Sequence, residues 1–236
     1  MSKIEKLILT HTAIVFLLGV VIAIVNPDYF GAHYIDEDGF LEWLTVLALG
    51  TITVVLVLRF RAEAANMTVR QKITLIGLAI LAAFGAGEEI SWGQRLFAIE
   101  TPEALRVINR QDETNIHNLV IGRINVNKTI FSKGILLTFL IYLGVITPLW
   151  HRSPRARAFL DSWGVPIPKR YQWASYLAII ILVEGVINLL SPGSGKRGEL
   201  TEFAVPMIVA LNIFYPLNQA PTGIMDQSGK AHTHSG

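Results

Sequence analysis

The sequence predicts an all-α membrane protein, a polytopic helix bundle with about six transmembrane helices. Three observations lead to this prediction: the composition is apolar, the apolar residues form long runs, and basic residues collect between alternate runs. Of the 236 residues, 52% are hydrophobic and 16% are charged, and the mean hydropathy is +0.47. A soluble domain carries about 25% charged residues, so we expect this chain to lie in a lipid bilayer.

Six segments are long and apolar enough to be spanning helices, since about 20 mostly apolar residues cross roughly 30 Å of hydrocarbon. In chain order they are residues 7–25, 40–58, 73–92, 135–150, 173–190 and 198–217. The first follows Lys3 and Lys6 as a signal peptide would, but no small-residue cleavage site follows it, so we expect a retained span. The fourth segment is short, and the sixth contains Pro206.

The distribution of Lys and Arg predicts that both termini are cytoplasmic, because cytoplasmic loops retain positive charge. With the N-terminus inside, the inner segments hold 12 of the 20 basic residues and 4 of the 18 acidic residues. Residues 1–218 then form one integral-membrane domain with a long outer loop over 97–133, and residues 219–236 form a disordered cytoplasmic tail. We expect the location to be a bacterial inner membrane.

Two short helices are expected in the outer loop. Thr101, Pro102 and Glu103 have the pattern of a helix start, with a capping residue, a proline and an early acid. A second helix is predicted from after Asp112 to near Gly122.

The composition also excludes several classes of function. The chain has no cysteine, which excludes disulfides, thiolate metal sites and cysteine nucleophiles. The net charge is only +2 and no dense basic run is present, so no nucleic-acid partner is expected. Zinc-protease, serine-hydrolase and dinucleotide motifs are missing from the sequence.

The feature that points to function is a set of acidic residues within or beside the predicted spans. An acid at the centre of a spanning helix costs about 2.5–3.5 kcal/mol on insertion scales. With a rise of about 1.5 Å per residue, these acids fall in one layer about 10 Å thick in the outer half of the membrane. They are Glu42, Glu88, Glu89, Glu184, Glu199 and Glu202.

Helical spacing indicates which acids face the same site. Glu184 and Asn188 are four residues apart and would share a helix face with Tyr176. Glu88 and Glu89 point about 100° apart on a helix, and we favour Glu89 as the residue that faces the site. The alternative is that each acid has only a structural role and forms a stabilising ion pair with a loop arginine: Arg95, Arg106, Arg110 or Arg123.

The loop adds an imidazole to these carboxylates. Glu113 and His117 are four residues apart on the second predicted short helix, a spacing that places both on one metal or one reacting group. Carboxylate and imidazole ligands suit Zn, Mn or Fe. The predicted metal ligands are Glu89, Glu113, His117 and Glu42, and the predicted catalytic acids or bases are Glu88, Glu89, Glu184 and Glu202.

The stretch Glu88-Glu89-Ile90-Ser91-Trp92-Gly93-Gln94-Arg95 resembles the paired-glutamate motif of the CAAX-type membrane proteases and their bacterial relatives. That family has an arginine one turn after the glutamates and two later histidines, and the resemblance implies a membrane protease. Here the arginine lies two residues further along, and His117 alone has a suitable depth. The resemblance covers one helix of the six, and we do not assign the chain to the family.

Three functions stay open at this point. The leading one is a metal-assisted membrane enzyme that acts on a lipid or a membrane peptide. The second is a cation- or proton-coupled transporter, which buried acids would serve, although no internal repeat is evident and the acids lie away from the midplane. The third is a non-catalytic subunit whose acidic surface binds another membrane protein.

Overall fold

The computed structural model describes residues 1–36, 39–109, 111–122, 124–126, 133–190 and 198–223, without the side chains of Arg95, Ile124 and Asn125. Seven longer helices are labelled here: α1 Lys3–Val25, α2 Phe40–Glu63, α3 Val69–Glu89, α4 Lys133–Arg152, α5 Pro154–Trp163, α6 Arg170–Leu190 and α7 Gly198–Phe214. Short helical turns cover Pro27–Tyr29, Phe30–Tyr34, Ala64–Asn66, Ser91–Gly93, Gln94–Phe97 and Glu103–Arg106. Strand Val120–Ile121 pairs antiparallel with Ile124–Asn125.

Five of these helices, α1, α2, α3, α4 and α6, are long and apolar enough to cross a membrane. They turn large apolar side chains outward: Leu7, Leu47 and Leu81 are between 65% and 71% exposed. A soluble monomer rarely exposes apolar surface on this scale, so the surface of the bundle is one that lipid covers. The prediction of a multi-pass, all-α membrane protein is confirmed at this level.

The sixth predicted span forms α7, a helix of 17 residues that contains Pro206 and is not among those five. Its length is about 25 Å at 1.5 Å per residue, short of the hydrocarbon thickness. Leu200, Phe203 and Leu211 on this helix are fully buried, because α1, α2 and α6 pack around it. The helix is thus the centre of the bundle, and the count of six spans is not established.

Alternation of helix direction gives the bundle two ends. At the first, which we call the basic end, the Glu5 carboxylate near the start of α1 accepts hydrogen bonds from Lys169 Nζ and Tyr171 Oη, both at 2.7 Å. Arg59 Nε near the end of α2 donates to the carbonyl of Pro221 at 2.9 Å, so residues just beyond α7 pack at this end. Residues 224–236 of the predicted tail lie outside the described part of the chain.

The opposite end, which we call the loop end, is where α2 and α7 begin and α3 finishes. Thr45 Oγ1 in α2 donates to the carbonyl of Glu202 in α7 at 3.3 Å, which fixes the two starts side by side. The chain that leaves α3 here folds back over this end through residues 91–109, 111–122 and 124–126. The convergence of acids that the sequence predicts therefore concerns the loop end.

One predicted element of the loop is wrong. Residues 112–119 form turns instead of the expected second helix, so Glu113 and His117 do not lie on one helical face. The reason is that side chains capture the backbone N–H groups that a helix would use. Asn109 Oδ1 accepts from the backbone nitrogens of Gln111 at 2.9 Å and Glu113 at 3.2 Å. The first predicted short helix is present, over Glu103–Arg106.

Helix α6 changes pitch in the region of Glu184. Residues Ile181–Ile187 are π-helical, with hydrogen bonds five residues apart. Glu184 and Asn188 are both exposed, whereas Tyr176, Val183 and Ile187 are buried. Glu184 and Asn188 therefore share the exposed face. The prediction that Tyr176 shares this face is wrong, because eight residues are not a whole number of helical turns.

Candidate functional site

Glu88 is the anchor of the loop end. It lies in the last turn of α3 and is only 4% exposed. Its Oε1 accepts from the indole Nε1 of Trp92 at 2.7 Å, and its Oε2 accepts from the backbone nitrogens of Ile116 and His117 at 2.7 and 2.8 Å. Three N–H donors compensate the burial of the carboxylate, and they tie the loop to α3.

The chain leaves α3 through a strained turn. Ser91 and Trp92 have φ angles of 47° and 55°, and Gly93 follows with 82°. Left-handed backbone costs a non-glycine residue of order 1–3 kcal/mol, so it persists only where surrounding contacts hold it. The Ser91 carbonyl accepts from Thr114 Oγ1 at 2.7 Å, and Trp92 lies so close to Gly87 that a Cβ there would come within 2.9 Å of the indole.

A buried network of polar side chains lies beside Glu88. Ser91 Oγ donates to Glu113 Oε2 at 2.8 Å and accepts from Asn115 Nδ2 at 3.1 Å. Asn115 Nδ2 also donates to Glu113, and Asn109 Nδ2 donates to Asn115 Oδ1 at 3.1 Å. All four side chains belong to residues that are at most 8% exposed. Glu113, predicted as a metal ligand, is thus held inside the loop by hydrogen bonds from Ser91 and Asn115.

His117 brings the loop close to the end of α3 and the start of α7. Its Nδ1 lies 3.4 Å from Glu88 Oε2, and its side chain is 22% exposed. Glu202, near the start of α7, interacts electrostatically with both His117 and Glu42. Glu42 lies in the first turn of α2. We call Glu42, Glu88, His117 and Glu202 the Glu–His cluster; it joins an imidazole to carboxylates from α2, α3 and α7.

The remaining predicted residues lie elsewhere. Glu89, which the sequence favoured over its neighbour, is half-buried; Glu88 is more deeply buried and lies in contact with His117. Glu184 lies on the exposed face of α6. Of the arginines considered as ion-pair partners, Arg106 pairs with Asp112 at 3.1 Å. Arg110, Arg123 and the side chain of Arg95 lie outside the described residues.

Sequence reasoning missed the residues that build the loop. Asn109 and Asn115 were not predicted as site residues, and Ser91 and Trp92 were noted only as part of the paired-glutamate stretch. One signal was available: the run Asn109–Asn118 contains three asparagines, an aspartate and a threonine. These residue types favour turns because their side chains bond to nearby backbone groups.

No group of three or more His, Asp or Glu side chains is arranged to hold a metal ion within the part of the chain that the structure describes. The Zn, Mn or Fe site therefore stays a prediction. Comparisons with known proteins add no function: no protein-family model matches the chain, and no curated protein or solved structure is significantly similar to it. Function must be argued from the Glu–His cluster.

Proposed function

We propose that this protein is a membrane enzyme in which His117 acts as general base and acid in the hydrolysis of a lipid or a membrane peptide. The contact between the buried Glu88 carboxylate and His117 Nδ1 at 3.4 Å carries the proposal. The charge distribution of the loops supports cytoplasmic termini and a site on the outer side of the membrane. In this proposal α7 is a sixth membrane-embedded helix, and the membrane is a bacterial inner membrane. Because lipid surrounds the helices, a substrate that itself lies in the bilayer is the one we propose.

In this proposal Glu88 orients the imidazole. A carboxylate at Nδ1 favours the tautomer with its proton on Nδ1, which leaves Nε2 as the proton acceptor. Nε2 takes a proton from water as the water oxygen bonds to the carbonyl carbon of an ester or amide. The imidazolium then gives that proton to the leaving alcohol or amine as the C–O or C–N bond breaks. Glu202, which interacts with His117, would stabilise the transient imidazolium when its carboxyl group is ionised.

A metal-assisted form of this reaction is a separate prediction. The cluster contains the donor types that Zn, Mn or Fe accept, but the described side chains do not form a three-ligand group, so no step is assigned to an ion. Metal analysis of the purified protein tests this form. About one equivalent of metal that is lost in His117→Ala would support it, and an active, metal-free protein would exclude it.

The acid–base function is tested without knowing the substrate. Lipids and peptides of host membranes that contain wild type, His117→Ala or Glu103→Gln at equal levels are profiled by mass spectrometry. Glu103 is the matched control, an exposed acid of the same loop outside the cluster. Products present with wild type and the control should fall about 100-fold or more in His117→Ala, and identical profiles for all three would refute the proposal.

Measuring ion flux distinguishes the alternative function, a transporter, from the proposed enzyme. The purified protein is reconstituted into liposomes, and proton and cation counterflow is measured for wild type and Glu202→Gln. Flux that Glu202→Gln abolishes would favour transport over hydrolysis. A one-sided enzyme site should carry no coupled flux.

A further inference from the structure

The loop that follows α3 has an inverted polarity. Its network-forming side chains are buried, and its large apolar side chains face outward. Phe97 is 75% exposed and Val107 is 80% exposed. Leu96, Ile99 and Ile121 are also more than half exposed. Leaving one such side chain in water, instead of burying it, costs about 1.5–3 kcal/mol, so this surface is built for a non-aqueous neighbour.

We infer that residues 91–109 and 111–122 lie in the interface of the bilayer and present these apolar side chains to lipid. The apolar loop surface continues the lipid-facing surface of α3, where Ile80 and Leu81 are 62% and 67% exposed. Trp92 joins the two surfaces: it is half exposed, and its ring centroid lies 5.7 Å from that of Phe84 in α3. This continuity identifies lipid as the occupant.

Several backbone groups of the loop find partners within the protein, which lowers the cost of placing irregular backbone close to hydrocarbon. Gln94 Oε1 accepts from the backbone nitrogen of Thr114 at 2.7 Å, and Glu88 accepts from two further backbone nitrogens. The charged side chains Arg106 and Asp112 are more than half exposed and pair with each other at 3.1 Å. Such a mixture of outward apolar and charged groups is typical of elements at the headgroup boundary.

The lipid-facing surface is inferred independently of the proposed function, but what it implies about the substrate rests on that function. His117 belongs to this loop, so a loop in contact with lipid places the imidazole beside molecules that diffuse within the bilayer. A lipid-borne substrate would then reach the Glu–His cluster sideways from the membrane, without passing through water.

The absence of cysteine from the chain allows a direct test with single-cysteine variants. Phe97→Cys and Val107→Cys are labelled with bimane in nanodiscs that contain phosphatidylcholine with a nitroxide near the headgroup. Glu103→Cys, on an exposed polar position of the same loop, is the control. We expect at least twofold stronger quenching by the nitroxide lipid at 97 and 107. We also expect at least tenfold faster reaction of the thiol at 103 with a charged maleimide.

Equal quenching and equal thiol reactivity at the three positions would overturn the inference. Thiols at 97 and 107 that are shielded from maleimide, are unquenched by lipid and cross-link to a second copy or another protein would also overturn it, because the surface would then bind protein. Profiling the products of the same variants with and without His117→Ala separates the two proposals. Equal quenching with His117-dependent products rejects only the lipid surface, and lipid quenching without such products rejects only the reaction.

Discussion

Replacing Glu88 by Gln tests how far the loop depends on one carboxylate. Glutamine has the same shape but one acceptor oxygen, whereas Glu88 accepts from Trp92 on one oxygen and from two backbone nitrogens on the other. If the glutamine amide oxygen accepts from the backbone nitrogens, its amide nitrogen faces the indole N–H of Trp92, and two donors then oppose each other. A lost bond to a charged acceptor costs about 1.5–3 kcal/mol. Because the two remaining bonds also weaken, we expect unfolding to become easier by about 2–4 kcal/mol.

The measurement is unfolding in mixed micelles with a rising fraction of SDS, followed by tryptophan emission. Trp92 reports locally because its indole loses its acceptor in the variant. Glu103→Gln, at an exposed position of the same loop, should change the free energy of unfolding by no more than about 0.5 kcal/mol. A Glu88→Gln protein with the wild-type free energy of unfolding would refute the view that this carboxylate anchors the loop.

Two further predictions use the same unfolding measurement. Glu5→Gln at the basic end removes the charged partner that lies 2.7 Å from Lys169 Nζ. Because that lysine is partly exposed, we expect the free energy of unfolding to fall by about 1–3 kcal/mol. An unchanged free energy of unfolding would contradict an ion-pair link between α1 and the start of α6. Gly87→Ala pushes a methyl group against Trp92 and should cost about 1–3 kcal/mol with a shift in emission. Gly77→Ala in the same helix meets no atom within 4 Å and should be neutral or stabilising, so equal effects of the two would contradict the contact.

Five of the six predicted spans are helices long and apolar enough to cross a membrane, and they could be predicted because length and apolarity alone decide them. The nearness of Glu42 and Glu202 could also be predicted, since consecutive spans of opposite direction bring the start of α2 and the start of α7 to one end. The choice of Glu88 over Glu89 could not be predicted. It depends on the left-handed turn at Ser91 and Trp92, which carries the loop back onto one side of α3.

The structure inside the loop could not be predicted from helical periodicity, for a related reason. A helical pattern assumes that backbone N–H groups bond to carbonyls four residues earlier, but around Asn109 and Glu113 they bond to side chains. Such bonds follow no fixed spacing. Glu184 was misplaced for a different reason: it lies eight residues after Tyr176, which is not a whole number of turns, and its neighbour Val183 takes the buried face of α6.

A final prediction compares the same substitution at two tyrosines inside the bundle. Tyr142 Oη donates to the carbonyl of Pro166 at 2.5 Å and accepts from Asn212 Nδ2 at 2.6 Å. Tyr176 Oη is buried and makes no hydrogen bond of ordinary geometry among the residues that the structure describes, although the Asn212 amide lies near it. Tyr142→Phe leaves two buried groups without partners and should cost about 1–3 kcal/mol, whereas Tyr176→Phe removes an unpaired hydroxyl and should be neutral or stabilising.

The outcome at Tyr176 also bears on function. If Tyr176→Phe destabilised the protein as much as Tyr142→Phe, its hydroxyl would need a partner, either the nearby Asn212 amide or a buried water, since buried waters serve polar groups of this kind. Water deep in the bundle would extend the polar region from the Glu–His cluster towards the basic end and would favour a transport path. A neutral Tyr176→Phe agrees with a dry interior below the cluster, as an enzyme open only at the loop end requires.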